Sequence, residues 1–270
     1  MGAAELNRTA GHTYRESAPA DESGDPVLLL HGFPESSRMW GPLMKALSNG
    51  GRRCVAPDLY CLGESEDPGP ATFERNLEAL TQLHAELDLG RVALVVHDWG
   101  GFIGLAWACE NPDLVSALVI SDAGFFPDGK WHGMAEAIRS PQGEEIMAAV
   151  DRDGFASLLQ ADGAFSDEDI DAYWCPFAEG RGREATVEFY RSMDFEKLEP
   201  YQGCLAELGV PTLLVWGAED QFAPLSGAKR FEREIPGARL AAFEGAGHFV
   251  FDQERERTTN EVLEFLRSAR

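Results

Sequence analysis

The chain has 270 residues, of which 44% are hydrophobic and 26% charged, the make-up of a globular protein with a full core. Lys and Arg number 23 against 46 Asp and Glu, a formal charge of −23. A surface that acidic repels phosphate backbones and anionic lipid, which argues against nucleic-acid and membrane partners.

In chain order, the N-terminal MGAAELNRTAGHTYRES lacks the apolar core of a signal peptide. A polar loop, Ala18–Pro26, leads into four short apolar runs: Val27–Leu30, Val92–Val96, Ala117–Ile120 and Thr212–Trp216. They are continuous rather than alternating, as expected of strands covered on both faces in a parallel sheet. Weaker runs at Arg53–Ala56 and Arg239–Phe243 predict two further strands. Between them, Phe73, Leu77, Leu80, His84 and Leu87 mark one face of a helix, with His84 read as a core histidine. Gly101–Cys109 and Glu254–Ala269 predict two more helices. Alternating strand and helix implies an α/β fold with right-handed crossovers.

The stretch from Phe125 to Pro200 carries no buried-strand run. Its amphipathic pieces, Met134–Ile138, Glu144–Val150, Phe155–Leu159, Asp167–Tyr173 and Glu184–Met193, predict helices inserted between two strands, with Asp167-Glu168-Asp169 opening one of them. Acids are somewhat concentrated on this stretch. No apolar run reaches the length of a membrane span. Five cysteines without a CxxC pair make a disulfide framework or a zinc site unexpected and favour a reducing, cytoplasmic compartment.

The strongest local signal is Leu94-Val95-Val96-His97-Asp98-Trp99-Gly100-Gly101, a buried strand running directly into small residues and a helix. This is where an α/β-hydrolase carries its nucleophile elbow, usually G-x-S-x-G, and here Asp98 occupies the centre. An acid at the end of a buried strand, with no Arg or Lys nearby in sequence, is costly unless it is used. A carboxylate nucleophile needs a base to activate water and an acid to orient that base. His248 follows the last strand in GAGHF and Asp220 follows the preceding one in WGAED, so both fall at C-terminal strand ends. Glu219 competes with Asp220, but successive side chains on extended backbone point apart, and the motif position favours Asp220. Upstream, His31-Gly32-Phe33-Pro34 follows the first strong strand. Its Phe33 N–H and that of Trp99 are positioned for an oxyanion hole, with His31 ordering the loop. Strand adjacency turns His97 away from the nucleophile.

Together HGFPES (31–36), APDL with Gly63 and Ser65, HDWGG (97–101), WGAED (216–220) and GAGHF (245–249) resemble the α/β-hydrolases with an aspartate nucleophile, the group holding epoxide hydrolases and haloalkane dehalogenases. The resemblance spans Pro26 to Leu266. One departure is Cys61, at a position where the family usually has glycine. The resemblance implies the α/β-hydrolase fold: a mostly parallel sheet flanked by helices, with a core of residues 1–124 and 201–270 and a helical cap of residues 125–200 inserted between strands. It implies no cofactor and no metal.

An aspartate attacking an ester would form an anhydride, a poor intermediate, whereas attack on an sp³ carbon forms an ordinary ester. The expected substrates are therefore small, neutral, apolar epoxides or alkyl halides. Epoxide opening needs a proton donor, and Tyr190, before Arg191, resembles the family's cap tyrosine. His132 is the expected second donor and Tyr173 the other candidate. A halide needs N–H donors instead: the Trp99 indole and, because Phe33 stands where dehalogenases usually have Asn, either Trp131 or Trp174. The sequence favours an epoxide hydrolase, with haloalkane dehalogenase as the alternative and a non-catalytic small-ligand sensor as a reading of a different class. Trp99, Trp131, Tyr173 and Trp174 are the expected substrate-binding residues.

Overall fold

The computed structural model describes residues 4–9, 11–65, 69–162 and 165–269. Its strands are β1 (Glu5–Thr9), β2 (His12–Ser17), β3 (Val27–Leu30), β4 (Cys54–Pro57), β5 (Val92–His97), β6 (Val115–Ser121), β7 (Thr212–Gly217) and β8 (Arg239–Phe243). They form one sheet in the order β1-β2-β4-β3-β5-β6-β7-β8. The pairings β1–β2 and β2–β4 are antiparallel, and all the others are parallel. The six strands predicted from apolar runs are β3 to β8. The first two went unread because their residues are largely polar and partly exposed; pairing with β4, Tyr14 opposite Pro57 and Ser17 opposite Cys54, makes β2 a strand.

Alternate residues of the central strands feed two cores. Leu28, Leu30, Leu94, Val96, Leu118, Ile120 and Leu214 face one side, where α2 (Phe73–Glu86) and α3 (Trp99–Glu110) pack. Val27, Leu29, Val95, Val119, Leu213 and Val215 face the other, against α1 (Gly41–Asn49) and, further along the chain, the C-terminal helix Arg255–Ser268. His84 is buried on α2, its Nε2 2.7 Å from the Gly90 carbonyl, as a core histidine should be.

After β6 come α4 (Gly133–Arg139), α5 (Gly143–Ala149), α6 (Arg152–Asp162), α7 (Asp167–Glu179) and α8 (Gly182–Ser192). Each overlaps one of the predicted pieces. The three acids at 167–169 do open α7, where Ser166 and Asp169 form a reciprocal cap. The remaining helices are α9 (Cys204–Glu207), α10 (Leu225–Glu234), α11 (Val250–Gln253) and α12 (Arg255–Ser268). Ion pairs tie the start of α7 to the sheet side of the molecule. Arg38 reaches Asp169 at 3.0 Å and Glu168 at 2.8 Å, and Arg255 lies 3.7 Å from Asp169.

The cysteines correct the sequence reading. Cys109, at the end of α3, and Cys204, at the start of α9, are joined as a disulfide, with Cα atoms 5.8 Å apart; Cys54, Cys61 and Cys175 keep their thiols. The two partners lie 95 residues apart in sequence, so spacing gave no sign of the pair. Cys61 takes a φ of 63°, the left-handed conformation that explains why glycine is usual there. No helix among the described residues is long and apolar enough to cross a membrane.

The close fit of α3 on the sheet depends on glycine. A Cβ on Gly100 would stand 2.4 Å from the Leu30 carbonyl oxygen, and backbone cannot yield as a side-chain tip can. Gly100→Ala should therefore destabilise the fold by about 1–3 kcal/mol. A urea titration should show a lower midpoint with an unchanged slope.

Candidate active site

Parallel registration brings the carboxyl ends of β3, β5, β6 and β7 to one edge of the sheet: Leu30 pairs with Val96, His97 with Ser121 and Ser121 with Val215. The residues that follow, His31 to Phe33, Asp98, Asp122 and Asp220, therefore converge. Asp98 sits at the turn from β5 into α3 with φ 48° and ψ −116°, a strained conformation for any residue but glycine. Gly32 permits it, since a Cβ there would come within 2.4 Å of the Asp98 Cβ. The Phe33 amide donates to Asp98 Oδ1 at 2.8 Å. Trp99 opens α3, where a first-turn N–H has no partner within the helix. His31 ties the loop after β3 to the segment after β4: its Nε2 accepts from the Leu59 amide at 2.9 Å, leaving Nδ1–H to donate to the Gly32 carbonyl at 2.8 Å.

His248 stands between two carboxylates. Its Nδ1 donates to Asp220 Oδ2 at 2.8 Å, and its Nε2 lies 3.6 Å from Asp98 Oδ2. Asp220 is fixed in turn, since its Oδ1 accepts from the Phe222 and Ala223 amides at 2.7 and 2.9 Å. The histidine chooses Asp220 and not Glu219. Burial works against a charge on His248, but the two carboxylates outweigh it and hold its pKa well above the ordinary histidine value. Burial likewise opposes ionisation of Asp98 and Asp220, yet His248 and the amide donors hold both below the usual carboxylate range. The arrangement can keep a carboxylate ionised at a cavity wall, with an imidazole beside it and amides ready for charge developing on its oxygen.

Asp98 faces a cavity of about 180 Å³. Trp99, Trp131, His132 and Tyr190 line it, with Phe126, Phe195 and Phe222. Trp99 is clasped between Phe189 and Phe33, with ring centroids 4.0 and 5.0 Å away, and Tyr190 meets it edge-on at 4.8 Å. The indole N–H groups of Trp99 and Trp131 are buried; that of Trp131 finds no acceptor among the described residues, and that of Trp99 has the neighbouring Tyr190 hydroxyl but no well-formed hydrogen bond. His132 caps α4, its Nδ1 accepting from the Ala135 amide at 3.3 Å, so in the neutral ring the proton resides on Nε2. Burial lowers the His132 pKa and favours that neutral ring. Burial and the Asp98 charge raise the pKa of the Tyr190 hydroxyl, which stays protonated.

Two expected substrate-binding residues are elsewhere. Tyr173 is buried on α7 against Phe165, near Glu35 and Asp252, and does not line the cavity. Trp174, one position on and turned around the helix, stacks on Phe177 with the Arg183 guanidinium 5.1 Å above its ring. Of the alternatives left open by the sequence, His132 and Trp131 are therefore the residues at the cavity. Phe126, Trp131, Phe195 and Phe222 give the cavity an aromatic wall.

Three buried polar residues stand behind His248: His97, which the sequence reading turned away from the nucleophile, and Glu35 and Asp122, which it missed. His97 packs on His248, centroids 5.0 Å apart, with its Nε2 3.4 Å from Glu35 and its Nδ1 3.9 Å from Asp122. Burial, with the neighbouring His248 charge, pushes the His97 pKa down to about 3, so it is neutral. Burial and nearby carboxylates raise Glu35 and Asp122 well above the usual range. A signal for Asp122 did exist, because it is an acid directly after a buried strand, as Asp220 nearly is.

Fold and site together define an enzyme of the α/β-hydrolase type. The family model for the alpha/beta hydrolase fold matches residues 25–255. A haloalkane dehalogenase of Sphingobium indicum is 30% identical over 283 aligned residues, covering 95% of this chain and 93% of that protein. A cis-3-alkyl-4-alkyloxetan-2-one decarboxylase of Xanthomonas campestris is 26% identical, covering 94% of this chain and 91% of the other. The crystal structure of haloalkane dehalogenase DbeA from Bradyrhizobium elkani superposes with a TM-score of 0.85 at 24% identity over 98% of this chain and 97% of that one, a likeness of fold. The chain belongs to the α/β-hydrolase family, within the group of haloalkane dehalogenases and epoxide hydrolases.

Replacing Asp220 with Asn removes the charge that most favours the His248 imidazolium. The His248 pKa should therefore fall, read by NMR titration of the imidazole, and turnover should drop by at least about a hundredfold. An unchanged titration would remove Asp220 from the role its geometry suggests.

Proposed function

We propose that this enzyme hydrolyses a carbon–halogen bond in a small, neutral haloalkane. Asp98 Oδ2 attacks the sp³ carbon, and the halide leaves as an anion that accepts the indole N–H groups of Trp99 and Trp131. The observation that carries this reading is the pair of buried indole donors on the cavity that Asp98 faces, neither of them held in a well-formed hydrogen bond. The kinship with haloalkane dehalogenases supports it.

The second half-reaction follows from the charges. Esterification removes the Asp98 anion, one of the two groups that hold the proton on His248. The imidazole pKa then falls, His248 releases its proton to solvent, and the neutral ring becomes able to act as a base on the ester it faces. Water attacks the ester carbonyl carbon as its proton passes to His248 Nε2. The oxyanion accepts from the amides of Phe33 and Trp99, and Asp220 stabilises the imidazolium. On collapse the alkoxide takes that proton and departs as alcohol, and the regenerated Asp98 acid passes its own proton to His248, restoring the carboxylate. One water is consumed, and alcohol, halide and a proton are released.

Epoxide opening is the second reading, favoured by one observation: Tyr190 and the Nε2–H tautomer of His132 bring two neutral proton donors to the same cavity. A comparison of bromide release from 1,2-dibromoethane with diol formation from styrene oxide separates the two. Bromide release as the dominant activity is expected, and diol formation without bromide release overturns the dehalogenation reading. In either chemistry Asp98→Ala should abolish turnover. His248→Gln should accumulate the alkyl-enzyme, seen by intact mass as an adduct of the substrate's alkyl group. Its absence would rule out covalent catalysis through Asp98.

A further inference from the structure

Arg139, the last residue of α4, makes three kinds of contact at once. Its Nη1 donates to the backbone carbonyls of Tyr190 and Met193 at the end of α8. Its Nη2 donates to Asp194 Oδ2 at 3.0 Å. Its guanidinium carbon lies 5.2 Å from the centre of the Trp131 ring. Those carbonyls belong to the last turn of a helix and the residue beyond it, where acceptors lack intrahelical partners. Trp131 in turn meets Tyr190 edge-on at 5.3 Å. One side chain thus holds the backbone under one cavity donor and covers the face of another.

The geometry points to Arg139 as a positioning residue for the leaving group, acting through Trp131 and Tyr190 without touching the substrate. A guanidinium over an indole is held by the negative face of the ring and draws electron density from it. The Trp131 N–H becomes a stronger donor, and a positive charge stands behind the place where the halide's negative charge gathers. Only a planar fork can serve carbonyls, a carboxylate and a ring face together, so lysine is a poor substitute. This inference rests on the dehalogenation reading, in which Trp131 holds the departing halide.

Arg191 supplies an internal control. It clamps the same pair of helices from α8, donating to the carbonyls of Arg139 and Ser140, and like Arg139 it pairs with a surface carboxylate, here Glu144, but among the described residues its guanidinium covers no aromatic ring of the cavity. A purely structural strap would make the two arginines equivalent.

The test is a bromide titration of the full chain, followed by tryptophan fluorescence, for the wild type and for Arg139→Met, Arg139→Lys, Arg191→Met, Trp131→Phe and the double variant Arg139→Met with Trp131→Phe. Arg139→Met should weaken bromide binding about tenfold, within the range of a desolvated cation–π contact. Arg139→Lys should fall between it and the wild type. Arg191→Met should bind bromide within about twofold of wild type even if its Tm falls. In the Trp131→Phe background, the loss caused by Arg139→Met should shrink, since the route through the indole is gone and only the hold on the Tyr190 backbone remains. Wild-type affinity in Arg139→Met and Arg139→Lys overturns the role of Arg139 alone, as does an equal loss in Arg191→Met or an undiminished loss without the Trp131 indole. A wild-type protein that binds no bromide overturns the dehalogenation reading and this inference with it.

Discussion

Asp98 holds a backbone conformation that an aspartate adopts only under compulsion, and the surrounding structure is arranged to compel it. The strain sets the carboxylate above the sheet edge instead of letting it fold back along the strand. It is sustained from three directions. β5 is locked between β3 and β6, α3 is pressed onto Leu30 through Gly100, and the oxyanion loop closes over Asp98 with a glycine where any Cβ would collide. The same closure puts the Phe33 amide on the carboxylate oxygen. The geometry that strains the backbone therefore also provides the donor that a reaction at that oxygen would need.

The electrostatics follow from that placement. Two carboxylates held below the usual range share one imidazole, while burial disfavours charge on the groups packed behind it, His97, Glu35 and Asp122. A third ionised acid next to Asp98 and Asp220 would add repulsion that a single His248 proton could not offset, and the upward shift of Glu35 and Asp122 works against one. Sharing the imidazole also ties the affinity of His248 for its proton to the chemical state of Asp98.

Much of this was legible in the sequence, for identifiable reasons. Strands covered on both faces must be apolar throughout, so β3, β5, β6 and β7 announced themselves, and residues at their carboxyl ends were marked by position. Helix periodicity marked the inserted segment. What stayed hidden depends on the facing of single side chains. Whether Tyr173 or Trp174 points at a cavity turns on about 100° of helix rotation per residue, less than the uncertainty of a helix boundary. Trp131 reaches the cavity from an irregular segment with no period to read. β1 and β2 are strands by partnership, and Cys109 meets Cys204 only because α9 returns to the end of α3.

The ion pairs at the start of α7 separate two kinds of sensitivity. Arg38, Glu168 and Arg255 are partly open to solvent, so dissolved salt screens the bonds that hold α7, whose Phe177 rests edge-on against Phe33. His248 and Asp220 lie beyond the reach of those ions. Ionic strength therefore acts on how firmly the start of α7 is held and leaves the buried His248–Asp220 contact alone. Sensitivity to salt belongs to the attachment of one helix, although the densest charge of the molecule lies in the buried site.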